Sequence, residues 1–447
     1  MRSSKFINNI SALQTFQLAR FSTFLVISIL FTKSYLSAEQ IGVFEVFLFI
    51  ASFISFFWVT GLIQSFLPLF KNNKAFSRDG ENNSEKSPEI FNAFILLAFF
   101  SLVAFLFGLS IKHNFSVFGI SGNVPLINLL LVYILLSSPS VLIEYIYLVK
   151  NKSATIIWYG TISFSLQLGL VVIPIFMGYD IVYSIWGLIA ISIMRLIWLF
   201  FLLAKYAEIR FSLPFIKEHL RLGAPLIISA LLSGSAQYID GAIVTSKFDA
   251  STFAIFRYGA KEFPLVILLA NGLSNAMLSE FSTSAKIKSS MEVLKRKSAR
   301  LMHFLFPITL VVMFLARWLY PIMFNENFTR SADVFLIYLL LIISRLVFPQ
   351  TILIGMKKTG VILRASLVEI VLNIGLSLYL VQFYGLAGIA LATVIVYLIE
   401  KLYLIGYLYT KLKIKPTQYI PVNYHLIYSA ILIIMFVLID HRIIDFF

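Results

Sequence analysis

Residues 125–149, PLINLLLVYILLSSPSVLIEYIYLV, and residues 154–177, ATIIWYGTISFSLQLGLVVIPIFM, decide the fold of this chain. The first run carries one charged residue, Glu144, and the second carries none, while Lys150 and Lys152 stand between them. A membrane-spanning helix needs about 20 mostly apolar residues to cross the hydrocarbon of a bilayer. Each run is therefore predicted to span a membrane.

The same pattern extends in both directions along the chain. Thirteen spans are predicted, at 10–34, 41–70, 91–111, 125–149, 154–177, 181–204, 221–246, 251–281, 301–324, 331–355, 360–383, 386–410 and 425–442. The sequence therefore predicts an all-α polytopic membrane protein.

The composition excludes a soluble protein. Of the 447 residues, 60% are hydrophobic and 13% are charged, whereas a soluble domain is about 25% charged. The absence of cysteine excludes disulfides, thiolate metal sites and cysteine nucleophiles. The chain has neither a Gly-Lys phosphate loop nor an HExxH metal spacing, so we expect no ATP site, cofactor or metal.

Lysine and arginine lie mainly on one side of the predicted spans. If the N-terminus is cytoplasmic, the cytoplasmic segments hold 24 of these residues and the opposite segments hold 5. Short loops rich in Lys and Arg remain in the cytoplasm. We therefore expect residues 1–9 to be a short cytoplasmic lead, not a signal peptide, and the C-terminus to lie outside. This distribution explains the net charge of +15 without nucleic acid.

Two cytoplasmic segments are longer than the others. Residues 71–89 are rich in Asn, Ser, Lys and Glu, which predicts a flexible segment. Residues 286–300 place Ile287, Met291 and Leu294 at helical spacing among six basic residues. That pattern fits either a helix on the anionic inner leaflet or a solvated loop.

An internal repeat relates the two halves of the chain. SAEQIGVFEV (37–46) aligns with DASTFAIFRY (249–258), TGLIQSFLPLF (60–70) with NGLSNAMLSEF (271–281), and LQLGL (166–170) with LNIGL (372–376). Chance similarity among apolar helices is the alternative. The preserved order favours two parallel lobes of six helices, and transporters built from such repeats bind substrate between them.

These repeats set the predicted domain boundaries. The N-terminal lobe covers 1–204 and a cytoplasmic linker covers 205–220. The C-terminal lobe covers 221–410, and 411–447 adds a thirteenth helix.

Ionisable residues inside membrane spans are costly and mark cavities or ion pairs. The bases are Arg20, Arg195, Arg257, Lys261, Arg345 and Lys401, and the acids are Glu144, Asp240, Glu262, Glu369 and Glu400. Arginine forks onto phosphate oxygens. All of these bases except Lys401 are candidates for binding phosphate or pyrophosphate.

Three of these bases stand out. Arg257 and Lys261 are four residues apart, so a continuous helix would place both on one face, with Glu262 pointing elsewhere. Arg20 has no acid in its own span. Pairing with acids, which would only join helices, is the alternative for every base.

Asp240 and Glu369 are the candidates for ion coupling. Asp240 follows Ser233, Ser235, Gln237 and Tyr238 in the outer third of its span. A membrane carboxylate among polar neighbours is suited to binding a proton or a sodium ion. Pairing with an arginine is equally compatible with the pattern.

The start of the second lobe, HLRLGAPLIISALLSGSAQYIDGAIV (219–244) followed by SKFDASTFAIFRYGAKEFPLVILL (246–269), carries a resemblance to a known family. With the twelve core helices, it resembles the oligosaccharide and polysaccharide flippases of the multidrug/oligosaccharidyl-lipid/polysaccharide superfamily. The resemblance implies a MATE-like transporter fold. It also assigns Arg20 as the arginine of helix 1 and Asp240 as the aspartate of helix 7. The thirteenth helix departs from the twelve-helix pattern.

The resemblance also implies a function. Flippases of this kind move an undecaprenyl-pyrophosphate-linked sugar repeat from the inner to the outer face of a bacterial inner membrane. The expected partners are this anionic lipid-linked oligosaccharide, membrane lipids, and a polysaccharide polymerase with its chain-length machinery.

Two other functions remain open. A drug or cation antiporter of the same fold would favour acids over arginines in its cavity, which the arginines of helices 1, 6, 8 and 10 oppose. An intramembrane polysaccharide polymerase is opposed by the internal repeat and by the lack of a large outer loop.

Overall fold

The apolar runs fold as α-helices in a computed structural model that describes residues 9–76, 86–111, 126–278, 281, 287–356 and 358–441. The first eight helices are α1 (Asn9–Thr32), α2 (Ala38–Phe76), α3 (Pro88–Ile111), α4 (Ile127–Ser140), α5 (Leu142–Val149), α6 (Ser153–Phe176), α7 (Ile181–Tyr206) and α8 (Leu213–Lys247). The others are α9 (Ala250–Gly259), α10 (Pro264–Leu278), α11 (Ile287–Met323), α12 (Thr329–Leu339), α13 (Ile342–Arg345), α14 (Pro349–Gly355), α15 (Thr359–Leu412) and α16 (Val422–Asp440).

Ten helical segments of the described residues are long and apolar enough to cross a membrane. The difference from thirteen predicted spans has local causes. α15 contains two predicted spans, divided at Gly385, whose φ of 55° and ψ of −131° are not helical. The predicted span 251–281 is broken into α9 and α10, and α8 lies outside the ten. α16 meets the criterion, in agreement with a thirteenth span.

Helix starts repeat along the chain at the spacing that the sequence repeats predict. α2 begins at Ala38 and α9 at Ala250, 212 residues later, while α6 and α15 begin at Ser153 and Thr359, 206 residues apart. The structure therefore confirms that two copies of one helical unit build the chain.

The chain divides into two units by its contacts. Unit 1 comprises Met1–Gly234 and Thr245–Ser251, and unit 2 comprises Ser235–Val244 and Thr252–Phe447. α8 contributes to both units and begins at Leu213, inside the segment 205–220 that the sequence assigns to a linker. The lobe boundaries drawn from the sequence remain a prediction.

Unit 1 has its own apolar core, in which α1 packs on α6, α6 on α7, and α7 on α4. Glycines allow two of its close approaches. A Cβ on Gly160 of α6 would lie 2.7 Å from the Phe16 ring of α1, and one on Gly61 of α2 would lie 2.6 Å from the Ile227 nitrogen of α8. Buried His219 bonds the Leu62 carbonyl oxygen at 2.9 Å. These contacts hold the first half of α8 against α2.

Unit 2 has a second apolar core, in which α11 packs on α12 and α16, and α15 on α12 and α14. Pro264 explains why α9 and α10 are separate helices. A proline cannot donate the backbone hydrogen bond that a continuous helix needs, and it disfavours helical geometry at the preceding residue. Residues 260–263 are therefore not helical.

Two predictions for the segments expected to be cytoplasmic have different outcomes. Residues 287–300 are helical, so the solvated loop is wrong, but they continue into the following span as the single helix α11 and not as a separate surface helix. Within 71–89, α2 extends to Phe76 and α3 begins at Pro88. Residues 77–85 lie outside the described part of the chain.

Candidate functional site

Unit 1 brings Arg20 and Arg195 together around one carboxylate. The Arg20 guanidinium donates to Glu144 Oε1 at 3.0 Å, and Glu144 also lies within electrostatic range of Arg195. The three residues come from α1, α5 and α7, each within a predicted span. We call these three residues the arginine group. It carries two positive charges and one negative charge.

Two polar side chains of α6 orient Arg195. Its Nε donates to Ser163 Oγ at 2.6 Å, and its Nη2 donates to Gln167 Oε1 at 2.7 Å. Ser163 and Gln167 are four residues apart and therefore share one face of α6. Gln167 Nε2 is buried and has no partner among the described residues. A donor without a partner beside the Arg195 guanidinium adds to the capacity of this site for an anion.

Aromatic rings bring the two arginines close together. Arg20 stacks over Phe16 at 5.2 Å and Arg195 over Phe164 at 5.5 Å, and these two rings lie 5.0 Å apart. Such stacking leaves guanidinium edges available for hydrogen bonds. The Arg20 side chain remains 37% exposed, whereas that of Glu144 is 2% exposed.

Unit 2 holds a group of opposite sign, made of Glu262, Arg345, Glu369, Glu400 and Lys401. Arg345 binds both carboxylate oxygens of Glu262, at 2.7 and 2.5 Å. Lys401 pairs with Glu400 at 3.0 Å, and Glu369 lies within electrostatic range of Arg345, Glu400 and Lys401. We call these five residues the acidic group. It contains three carboxylates and two bases.

The break between α9 and α10 positions Glu262 for this pair, because Glu262 lies at 260–263 and not on a helix. The sequence predicts that Glu262 points away from the face of Arg257 and Lys261, and it does not predict the pair with Arg345. The prediction that Arg257 and Lys261 share a helix face is wrong, since α9 ends at Gly259. Lys261 instead lies 4.9 Å from the Tyr258 ring, and Arg257 lies within electrostatic range of Tyr238.

Asp240 forms a separate buried network in unit 2. Its Oδ2 accepts hydrogen bonds from Tyr338 and from Thr393, each at 2.6 Å. Asn373 donates to Thr393 at 3.3 Å and accepts from Ser377 at 2.8 Å. Asp240 is 4% exposed, and its Oδ1 has no partner among the described residues. The network therefore leaves one buried carboxylate oxygen without a hydrogen-bond partner among the described residues.

Among the described residues, no group of three His, Cys, Asp or Glu side chains is arranged to hold a metal ion. The predicted residues thus fall into distinct groups. Arg20 and Arg195 converge in unit 1, Arg345 and Glu369 belong to the acidic group, and Asp240 has its own network.

The sequence analysis missed the neutral members of these groups, which include Ser163, Gln167, Tyr338 and Thr393. The four-residue spacing of Ser163 and Gln167, which places both on one face of a predicted span, is a signal that identifies the first two. Nothing in the sequence pairs Tyr338 or Thr393 with Asp240, because 98 and 153 residues separate them.

The sequence profile of the polysaccharide biosynthesis protein family matches residues 35–333 of this chain. No curated protein sequence matches the chain. Among solved structures, the inward closed conformation of the lipid II flippase MurJ is 20% identical, with a TM-score of 0.69 over 97% of this chain and 93% of that one.

Two further solved structures have the same fold. An inward-facing multidrug resistance MATE transporter of the MOP superfamily is 14% identical, with a TM-score of 0.62 over 91% of this chain and 98% of that one. A MOP superfamily transporter from Pyrococcus furiosus, described as having a binding pocket of reversed polarity, is 15% identical, with a TM-score of 0.52 over 91% and 92%. These likenesses confirm the MATE-like fold of a multi-pass membrane protein.

Proposed function

The chain belongs to the polysaccharide biosynthesis protein family, and on that premise we propose that it is a flippase, not an enzyme, for a lipid-linked oligosaccharide. Its substrate is an undecaprenyl-pyrophosphate-linked repeat unit for O-antigen, capsule or exopolysaccharide. Transport runs by alternating access from the cytoplasmic to the periplasmic face of a bacterial inner membrane, and the N-terminus is cytoplasmic. A polysaccharide polymerase and its chain-length machinery use the product.

The arginine group is the observation that carries this proposal. Two guanidiniums and one carboxylate in an apolar helical unit leave a positive excess. In a medium of low dielectric, that excess attracts an anion strongly. A diphosphate offers several oxygens in the geometry that guanidinium forks recognise. On binding, it competes with Glu144 for Arg20, while Ser163 and Gln167 keep Arg195 oriented.

Arg257 and Lys261 are proposed as further contacts for the anionic substrate. Both are half-buried, at the end of α9 and in the break that follows it. Arg345 has a different proposed role, because Glu262 already binds its guanidinium on both carboxylate oxygens. Arg345 holds the acidic group together, and substrate binding rests on the other bases.

The membrane potential supports transport in this direction. An inside-negative potential favours outward movement of an anion, and about 2.3 kcal/mol is available per elementary charge per 100 mV. We propose that Asp240 sets the return step by exchanging a proton or a sodium ion at Oδ1, the oxygen without a partner among the described residues. Glu369 is the second candidate for this exchange.

The acidic group favours one alternative function. Three carboxylates against two bases in unit 2 suit a drug or cation antiporter, which needs negative charge for its substrate. The arginine group opposes this alternative, because a positive excess repels a cationic substrate.

Deletion of the gene, followed by location of the accumulated lipid-linked sugar, separates these functions. A flippase defect leaves single repeat units on the inner leaflet, and an antiporter defect leaves no such lipid. A polymerase defect leaves the units on the outer leaflet. Reporter fusions after Lys150 and Lys205 should indicate cytoplasm, and one after Phe447 should indicate the outside. Accumulation on the outer leaflet contradicts the proposal.

A further inference from the structure

Three lysines of unit 1 surround the ring of Tyr206. The ammonium nitrogens of Lys150, Lys152 and Lys205 lie 5.5, 5.1 and 5.5 Å from its centroid. Lys152 Nζ also donates to the Tyr206 hydroxyl at 2.6 Å. Since all three share one ring, no two ammoniums can be more than about 11 Å apart, which is close to the screening length of physiological salt.

The Tyr206 ring is buried, and backbone hydrogen bonds hold the segments around it. Tyr206 is 2% exposed, and its carbonyl oxygen accepts from the Ser87 backbone nitrogen at 2.9 Å. The turn between α5 and α6 is closed by a hydrogen bond from the Lys152 nitrogen to the Tyr147 carbonyl oxygen at 2.9 Å. The backbone that carries the cluster is therefore held in place by hydrogen bonds.

The cluster stands where membrane-spanning segments end. Lys150 directly follows α5, Lys152 directly precedes α6, and Lys205 is the penultimate residue of α7. The hydrocarbon layer ends at such positions, and lipid phosphates lie just beyond it. Lysine side chains at helix ends extend toward that layer.

We propose that Lys150, Lys152 and Lys205 form a binding site for the phosphate of a lipid headgroup, with Tyr206 as its floor. Lysines that only anchor topology need no common partner, whereas these three come from three helix ends to one ring. Gathering three like charges has an electrostatic cost. A cation–π contact reduces that cost at each ammonium, and an anionic phosphate within reach of the ammoniums lowers it further.

This inference does not depend on the proposed transport function. The same phosphate chemistry has two sources, namely a bulk phospholipid such as phosphatidylglycerol and the diphosphate of a lipid-linked intermediate. Lysine acts as a point charge without a fixed fork, so the site selects for negative charge more than for the shape of a particular headgroup.

The test is native mass spectrometry of the purified full-length protein, titrated with phosphatidylglycerol or phosphatidylcholine. We expect the Lys150→Gln/Lys152→Gln/Lys205→Gln variant to bind phosphatidylglycerol at least tenfold more weakly than the unchanged protein. A control of equal charge change, Lys411→Gln/Lys413→Gln/Lys415→Gln, removes three exposed lysines from unit 2 and should change affinity less than twofold. The affinity for phosphatidylcholine should be the same in all of these proteins.

The triple Lys→Arg variant at 150, 152 and 205 keeps the charge and should retain binding, which separates loss of the site from loss of the fold. Undecaprenyl diphosphate then identifies the source. If it displaces phosphatidylglycerol, the site receives lipid-linked diphosphates. If it leaves phosphatidylglycerol bound, the site belongs to bulk lipid. Equal binding of phosphatidylglycerol by the unchanged protein and the Lys→Gln variant at positions 150, 152 and 205 overturns the proposal.

Discussion

The arginine group of unit 1 and the acidic group of unit 2 differ in how their arginines are used. In unit 1, buried Glu144 bonds Arg20 and lies within electrostatic range of Arg195, and Arg20 keeps about a third of its side chain exposed. In unit 2, Glu262 binds Arg345 on both oxygens, and two further carboxylates lie nearby. Two copies of one helical repeat thus carry charge excesses of opposite sign.

A single proline accounts for part of this difference. α2 of unit 1 is continuous, whereas its counterpart in unit 2 is broken before Pro264, and this break contains Glu262. At the repeat offset of 212, Ser52 corresponds to Pro264. The break frees a carboxylate to meet Arg345, so a local backbone change decides whether an arginine is saturated or available.

The largest effect on transport is expected from removing Arg20 or Arg195, the arginines proposed to bind the substrate diphosphate. Arg20→Ala and Arg195→Ala should each lower transport about 10- to 100-fold, because a hydrogen bond to a charged group contributes about 1.5–3 kcal/mol. Arg20→Lys should rescue transport only in part, since lysine lacks the planar fork. The measurement is transport of a lipid-linked diphosphate sugar into proteoliposomes at matched protein content. Full activity in both alanine variants contradicts a diphosphate site here.

Arg257→Ala extends this test to unit 2 and should also impair transport at matched expression. Arg257 lies on α9, and its role as a substrate contact rests on the proposal that it adds to the arginine group. A normal rate in Arg257→Ala together with a loss in Arg20→Ala would confine anion recognition to unit 1.

Removing Arg345, which both carboxylate oxygens of Glu262 already bind, should affect protein stability before it affects substrate binding. Arg345→Ala leaves Glu262 without its partner in a site where both side chains are mostly buried. Breaking such a pair costs about 3–5 kcal/mol. We expect a lower thermal midpoint in detergent and less protein in the membrane. The double variant Glu262→Gln/Arg345→Gln should recover most of the stability, since it leaves no unpaired charge. A double variant as unstable as Arg345→Ala would show that Arg345 has another essential contact.

The sequence predicts the membrane class, the helices, the repeat and the ionisable residues, because all of these depend on hydropathy and local spacing. It does not predict which charges meet. Arg20 has no acid in its own span, yet Glu144 reaches it from 124 residues away. Conversely, Arg257 and Lys261 have the spacing of one helix face, but Pro264 ends that helix early. Pairing across helices depends on packing, which periodicity alone does not encode.

A smaller effect is expected from Glu144, the carboxylate that binds Arg20. Glu144→Gln keeps the size of the side chain and removes its competition with a substrate diphosphate. We expect the KM to fall and the maximal rate to fall with it, each about threefold, because tighter binding of one conformation slows release. Glu369→Gln in the acidic group is the matched control and should leave the KM unchanged. Equal KM changes in the two variants would remove the distinction between the groups.

The smallest effect on rate, and the most selective one, is expected at Asp240. Its Oδ2 is fixed by Tyr338 and Thr393, while Oδ1 has no partner among the described residues. Asp240→Asn retains the shape and removes the charge, so transport should slow about twofold and lose its dependence on pH or sodium. Protein level and substrate binding should be unchanged.

Thr393→Val removes one donor to Oδ2 but keeps the carboxylate, so it should shift the ion concentration for half-maximal rate without abolishing the dependence. If Asp240→Asn transports normally with its ion dependence intact, the coupling carboxylate lies elsewhere. Glu369, which stands among charges of both signs, is then the next residue to change.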